Sequence, residues 1–136
     1  MATTFPLQVV SMDGMEFEGE VERIVLRTVH GDIAILARHI DYCTAVGMGT
    51  ARIVLADGTE RKAACIGGMI SMMNGKCRLF PTTWEWSDEI DLERAHIARA
   101  KAEERLKDAT ISNEARVRAE AKLYRAMIRI GTVSGK

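Results

Sequence analysis

The stretch Trp84-Glu85-Trp86-Ser87 divides the sequence into two parts of contrasting composition. Nine of the eleven glycines lie between residues 14 and 75, whereas residues 88–130 contain no glycine and no proline. The same segment 88–130 contains nine alanines. Glycine-punctuated segments are typical of strands joined by turns, and an alanine-rich segment is typical of helices. The sequence therefore predicts an α+β fold, with a β-sandwich domain over residues 1–86 and a helical hairpin over residues 87–136.

Four turn signals organise the first part. They are Asp13-Gly14, His30-Gly31, Asp57-Gly58 and Asn74-Gly75. Such pairs tolerate the positive φ angles of tight hairpin turns. Short alternating segments between them predict an antiparallel sandwich or barrel. Gly67-Gly68, at the head of a predicted strand, indicates a bulge or a close approach of two backbones.

The second part has the periodicity of two amphipathic helices. Ser87 is the predicted N-cap of the first helix and Ser112 that of the second. Each helix has a narrow apolar stripe, formed by Ala95, Ala98, Ala102 and Leu106 in the first and by Ala115, Ala119, Leu123, Ala126 and Ile130 in the second. The short link predicts antiparallel packing. Because alanine buries little apolar area, we expect a hairpin of low intrinsic stability that can move.

The overall composition excludes several classes of protein. Nineteen basic and nineteen acidic residues give zero net charge, which argues against a nucleic-acid binder and against a polybasic membrane anchor. No apolar run is long enough for a transmembrane segment, and no secretory signal is visible. Cys43, Cys65 and Cys77 lack metal-site spacing, so we predict three buried thiols in a reducing compartment and no metal.

The charges are segregated between the two helices. Residues 88–106 hold six acids and four bases, whereas residues 113–130 hold two acids and five bases. One interpretation is that the helices attract each other and expose a solvated charged face. The other is that the basic second helix leaves its partner and docks on an acidic surface elsewhere. The residues alone leave both interpretations open.

Sequence motifs for catalysis are missing. There is no phosphate-binding glycine loop, no GxSxG elbow and no HExxH pair. His39 has no nucleophile near it in sequence and is interpreted as a structural histidine. The sequence therefore predicts a protein that is not an enzyme.

Several segments, in order along the chain, are similar to one known family. The chain resembles the epsilon subunit of the bacterial rotary (F-type) ATP synthase, through Leu7–Ser11, Phe17–Glu22, Thr28–His39, Gly67-Gly68-Met69 and Glu89–Ala95. The sequence departs from the family pattern at Ala34, where glycine is usual, and at Ala37 and Asp41, where prolines are usual. We expect the loop around these positions to be less constrained than in the family.

The resemblance implies a sandwich of about ten strands and a regulatory hairpin. It implies a non-catalytic rotor subunit of the central stalk, peripheral to the cytoplasmic face of the bacterial membrane, that couples proton or sodium flow to ATP synthesis. Asp32 would face the membrane ring of c subunits, and His39 would lie near the gamma subunit. When the hairpin extends, basic residues of the second helix would meet an acidic segment of the catalytic beta subunit and inhibit ATP hydrolysis; the matching residues are Arg116, Arg118, Lys122, Arg125 and Arg129.

The resemblance also implies a regulatory nucleotide site, although no cofactor is required. Some family members bind ATP through a motif that reads Ile90-Asp91-Leu92-Glu93-Arg94-Ala95 here, together with Arg125 and Arg129 of the second helix. The involvement of Mg²⁺ stays open. Alternatively, Asp91 is an ordinary first-turn acid and the arginines are surface charges. A further alternative is a stand-alone ATP-sensing module that uses the hairpin outside any complex.

Overall fold

The computed structural model describes residues 3–135 and shows strands followed by helices. The strands are β1 (Phe5–Ser11), β2 (Gly14–Thr28), β3 (Gly31–Leu36), β4 (Tyr42–Ala45), β5 (Met48–Leu55), β6 (Glu60–Met73) and β7 (Lys76–Trp86). A 3-10 turn at Ser87–Glu89 leads to helices α1 (Leu92–Leu106) and α2 (Asn113–Ser134). The predicted α+β architecture is confirmed, and the four predicted turns join β1 to β2, β2 to β3, β5 to β6 and β6 to β7.

Seven strands form the sandwich in residues 3–135, not about ten, because a long strand such as β6 pairs with different neighbours along its length. The hydrogen-bonded order is β1-β7-β6-β5-β2-β3, with β4 on β6 and with β1 also paired to β2. In β6, for example, Glu60–Ile66 pairs with β5 and Met69–Met72 pairs with β4. The pairing is antiparallel as predicted, except that β1 and β7 run parallel.

Gly67 and Gly68 lie in the middle of β6, not at the head of a strand. Their φ angles are +71° and +112°, which favour glycine. A Cβ atom on Gly68 would overlap the carbonyl of Phe80 on β7. The predicted close approach of two backbones is therefore confirmed.

The hydrophobic core belongs to the sandwich alone. Its buried cluster lies entirely between Phe5 and Trp86. Cys65 and Cys77 are buried in it, as predicted, but Cys43 is exposed. The prediction for Cys43 is wrong because β4 alternates, and its inward position is taken by Thr44.

The helices pack against each other through alanine, as the stripes predict. Buried alanines are Ala95 and Ala102 on α1 and Ala115, Ala119 and Ala126 on α2. Ser112 caps α2 as predicted, accepting a hydrogen bond from the amide of Ala115 at 3.1 Å. The N-cap of α1 is Asp91, not Ser87, because Ser87–Glu89 forms a separate 3-10 turn and Ile90 is extended.

Candidate functional site

Two polar contacts attach α2 to the sandwich. The Arg129 Nε donates to Glu85 Oε1 at 2.8 Å, and both side chains are about one third exposed. The hydroxyls of Thr50 and Thr132 lie 2.8 Å apart. Thr132 donates to the carbonyl of Ile128, so Thr50 is the donor in the contact between the two threonines. We call the two pairs Glu85–Arg129 and Thr50–Thr132 the latch.

The interface around the latch is incompletely packed. A cavity of about 370 Å³ remains between α2 and the sheet, lined by Arg27, Asp32, Met48, Gly49, Thr50, Met127, Ile128 and Gly131, among others. Void space removes dispersion contacts that a close-packed interface would make. The docking of α2 therefore combines the latch with a contact in which Met127 and Ile128 line the same space as Met48 and Thr50 of β5.

An aromatic cluster fixes the point at which the chain leaves the sandwich. The Trp84 and Trp86 rings meet edge to face at 5.1 Å, and Phe17 contacts Trp86 at 6.3 Å. The Arg61 guanidinium lies 3.6 Å from the centre of the Trp86 ring, in a cation–π geometry. The end of β7, from which the hairpin continues, is thus packed by aromatic and cation–π contacts.

The two helices enclose a basic groove of about 1070 Å³. Alanines form its floor, and seven bases line its walls: Arg94, Lys101, Arg105, Arg118, Lys122, Arg125 and Arg129. Its acids are Glu104 and Asp108. The side chain and backbone of Thr110 donate hydrogen bonds to Asp108 and lower the pKa of that carboxyl. We call this surface the basic groove.

The structure brings together some of the residues expected to bind ATP and separates others. Arg94, Arg125 and Arg129 all line the basic groove. Asp91 caps α1 by accepting from the amide of Arg94 at 3.1 Å, which matches its alternative interpretation as a first-turn acid. Ile90 precedes the helix and Ala95 is buried. Neither of these two residues lines the groove.

The five basic residues expected to inhibit hydrolysis do not share one face in the docked hairpin. Arg118, Lys122, Arg125 and Arg129 line the basic groove, whereas Arg116 does not. Arg129 is additionally engaged by Glu85 in the latch. The docked state therefore turns most of this charge toward α1.

The two residues expected to face partner subunits lie on the sandwich. Asp32 is exposed on β3, with its carboxylate 3.1 Å from the Arg27 Nε. His39 is half-buried, and its Nδ1 lies 2.7 Å from the Ile40 carbonyl. Asp41 accepts a hydrogen bond from the Asn74 amide at 3.0 Å. This bond tethers a loop that the departures from the family pattern led us to expect to be less constrained.

The other two departures have different surroundings. Ala34 is exposed on β3. Ala37 is half-buried and packs against the core of the sandwich. Neither alanine forms a tether of the kind that Asp41 makes.

A row of apolar side chains crosses the outer face of one layer. Phe80 pairs with Met69 and Met69 with Ala45, while Met15 pairs with Val10 on β1. Val9 pairs with Leu79, which places Val10 beside Phe80. Met15, Phe80 and Met69 are 54%, 47% and 45% exposed. We call Val10, Met15, Ala45, Met69 and Phe80 the apolar row. The sequence alone does not reveal it, because outward-facing apolar positions are recognisable only once the register of the strands is known.

Residues 3–135 contain no cluster of three or more His, Cys, Asp or Glu side chains arranged to hold a metal ion. Within the same range, neither helix has the length and apolar character needed to cross a bilayer.

These features define a class: a β-sandwich with an exposed apolar row on one face, followed by a helical hairpin that encloses a basic groove. Comparison with known proteins narrows the class. Residues 4–87 match the family model described as "ATP synthase, Delta/Epsilon chain, beta-sandwich domain", and residues 88–134 match "ATP synthase, Delta/Epsilon chain, long alpha-helix domain". The chain belongs to the ATP synthase delta/epsilon chain family, whose members are non-catalytic subunits of the rotary complex.

Curated relatives match along most of the chain. The ATP synthase epsilon chain of Caldicellulosiruptor bescii is 39% identical over 126 residues, which cover 93% of this chain and 90% of that one. The "ATP synthase epsilon chain, sodium ion specific" of Acetobacterium woodii is 34% identical and covers 79% of this chain and 81% of its own. The epsilon chain of Shouchella clausii is 32% identical, with 98% and 97% covered.

A solved structure has the same fold. A chain in the cryo-EM structure of the Euglena gracilis mitochondrial ATP synthase (OSCP/F1/c-ring in rotational state 1) superposes with a TM-score of 0.82 at 19% identity, covering 91% of this chain and 78% of that chain. The two family models and the curated relatives confirm the family predicted from the ordered motifs.

Proposed function

We propose that this chain is a central-stalk rotor subunit that couples proton or sodium translocation to ATP synthesis and inhibits ATP hydrolysis through its hairpin. The observation that carries the proposal is the construction of the molecule: a self-contained sandwich joined by a small latch to a basic helical hairpin. A rotor subunit that regulates must keep one part bound while another part moves. The sandwich has a core of its own and can stay bound when the hairpin leaves.

The apolar row supports a proposal for how the sandwich binds the gamma subunit. Exposed apolar residues in contact with one another mark interaction surfaces. The row ends at Ala45 on β4, and His39 lies on the loop that leads into this strand. We assign this side to gamma, and we assign the exposed Asp32 to the membrane ring of c subunits. The chain would then be peripheral to the cytoplasmic face of the bacterial membrane.

A charge placed in the apolar row tests this assignment. Met69→Glu should abolish or strongly reduce co-purification with gamma, because a carboxylate would be desolvated in the interface. Its far-ultraviolet circular dichroism should stay unchanged, since Met69 points out of the sandwich. Full co-purification of the variant with gamma would contradict the assignment of gamma to this face.

The inhibitory proposal depends on undocking of the hairpin. Once the latch opens, the basic residues of α2 become available to an acidic segment of the catalytic beta subunit. Deletion of residues 88–136 should leave assembly intact and raise the ATPase activity of the reconstituted complex. A matched variant that keeps the hairpin but carries glutamine at the five basic positions of α2 should raise activity in the same direction. Unchanged hydrolysis in both would contradict the inhibitory role.

The basic groove supports regulatory ATP binding as a second part of the proposal. Arg94 and Arg125 line the end of the groove nearest the sandwich, and neither has an ion-pair partner among residues 3–135. Arg129 lines the groove as well. Guanidinium groups bind phosphates through bidentate hydrogen bonds. Calorimetry on the isolated chain should detect ATP with and without Mg²⁺, and Arg94→Ala should weaken that binding. Absence of heat at millimolar ATP would contradict it.

The stand-alone ATP sensor is a different candidate, favoured by the same groove. The two functions are separated by partner binding. A stand-alone sensor would bind ATP but would not co-purify with gamma, whereas the rotor subunit requires gamma whatever its ATP affinity.

A further inference from the structure

The basic groove is longer than the set of residues that the ATP motif uses. Arg94 lies near the start of α1 and Arg125 near the end of α2, so in the antiparallel hairpin both lie at the base end. Arg105 and Arg118 lie near the loop that joins the helices, at the opposite end. Eleven residues of helix separate Arg94 from Arg105, which corresponds to about 16 Å. Three consecutive phosphates are too short to reach both ends.

The far half of the groove has an excess of positive charge, with four bases against two acids. Lys101, Arg105, Arg118 and Lys122 are exposed and form no ion pair with any residue in the range 3–135. The acids of this half are Glu104, which lies 3.9 Å from the Lys107 Nζ, and Asp108, which accepts hydrogen bonds from Thr110 and is attracted by Arg105. Like charges that face each other across a narrow groove repel and destabilise the closed hairpin. A polyvalent anion placed between them would remove this repulsion.

We infer that the half of the basic groove formed by Lys101, Arg105, Arg118 and Lys122 is a second anion subsite, so that the groove as a whole binds a linear inorganic polyphosphate chain. The inference shares the groove with the ATP proposal but does not depend on adenine recognition or on inhibition.

The lining of the groove favours this ligand over other polyanions. Its walls are helices whose backbone groups are already hydrogen-bonded within the helix, so they offer little to the backbone of an acidic peptide. No aromatic side chain of residues 3–135 lines it, so there is no surface on which bases of a nucleic acid would stack. A polyphosphate carries a negative charge on every unit and matches a row of cations along both walls.

Calorimetry on the full chain with a medium-length linear polyphosphate tests the inference. The double variant Arg105→Gln/Arg118→Gln should raise the Kd for polyphosphate about tenfold and leave the Kd for ATP unchanged. The matched control Arg99→Gln/Arg116→Gln removes the same charge outside the groove and should leave both constants unchanged. Circular dichroism checks that the helices persist.

Several results would overturn the inference. Absence of binding to polyphosphate is one, and an equal loss of affinity in the control variant is another, because it would indicate non-specific attraction. Polyglutamate of matched length that binds as tightly would point to an acidic peptide instead. Loss of ATP binding in Arg105→Gln/Arg118→Gln would show that the groove has one anion site and not two. If polyphosphate binds and ATP does not, the inference stands and the ATP proposal fails.

Discussion

Replacement of Glu85 by glutamine should increase the fraction of molecules in which the hairpin is undocked from the sandwich. In the native structure the Arg129 Nε and Glu85 Oε1 are 2.8 Å apart, with side chains 31% and 32% exposed. A fully exposed pair contributes about 0.2–1 kcal/mol, and charge-assisted hydrogen bonds at partly buried sites contribute more. We therefore expect about 1 kcal/mol from this pair after solvent screening. That is about a fivefold increase in the ratio of undocked to docked hairpin.

Energy transfer between two dyes can measure that ratio. Cys43 is exposed and reacts with one dye, and Asn113→Cys at the start of α2 supplies the second site. Glu85→Gln and Arg129→Gln should each increase the undocked fraction, and the double variant should increase it no further than either single change.

A matched ion pair elsewhere in the hairpin provides the control. Arg99 and Glu103 are 3.0 Å apart, but both belong to α1. Arg99→Gln should therefore leave the docked fraction unchanged. If Glu85→Gln has no effect on energy transfer, or if the two latch substitutions add independently, the latch does not hold the hairpin and the reasoning fails.

Two further predictions concern the sandwich. Gly68→Ala should lower the free energy of unfolding, measured with urea, by about 3 kcal/mol or more, because it combines backbone strain with a steric overlap. Gly14→Ala has a similar φ of +117° but lies in open space, so it should lower this free energy by only about 1–2 kcal/mol. Equal losses in the two variants would show that the overlap at Gly68 is unimportant. Burial raises the pKa of Cys65 and of Cys77 to about 12. A thiol reagent at about pH 8 should therefore modify Cys43 alone in the native protein and all three cysteines after denaturation, and three reactive thiols in the native state would contradict the buried positions.

Local chemistry explains what the sequence predicted correctly in the fold. Asp57-Gly58 and Asn74-Gly75 demand positive φ angles wherever they occur, so they mark turns without knowledge of the rest of the chain. Ser112 caps α2 because its hydroxyl needs only the next turn of the same helix. The alanine stripes follow from helical period in the same way.

Features that depend on tertiary structure were missed or wrong. Ser87 has the side chain of an N-cap, but it begins a separate 3-10 turn directly after β7, and the α-helix begins only after its N-cap Asp91. The described residues form seven strands and not about ten, and one reason is that β6 continues through its glycine pair instead of ending there.

The candidate site shows the same division. Arg125 and Arg129 could be grouped from helical spacing, because residues on one face of a helix recur every three or four positions. Arg94 lies on the other helix and was added only through the resemblance to the family motif. Thr50 and Thr132 could not, since 82 residues separate them and no motif marks either one. The apolar row likewise can be recognised only when the register between four pairs of strands is known.

The central claim is that the hairpin must leave the sandwich before it inhibits ATP hydrolysis. Thr50→Cys/Thr132→Cys, in a Cys43→Ser background, replaces two hydroxyls that lie 2.8 Å apart and should form a disulfide that holds α2 on the sandwich. We predict that the oxidised subunit leaves ATP hydrolysis by the reconstituted complex uninhibited and that reduction restores inhibition. Equal inhibition by the oxidised and the reduced subunit would contradict the claim.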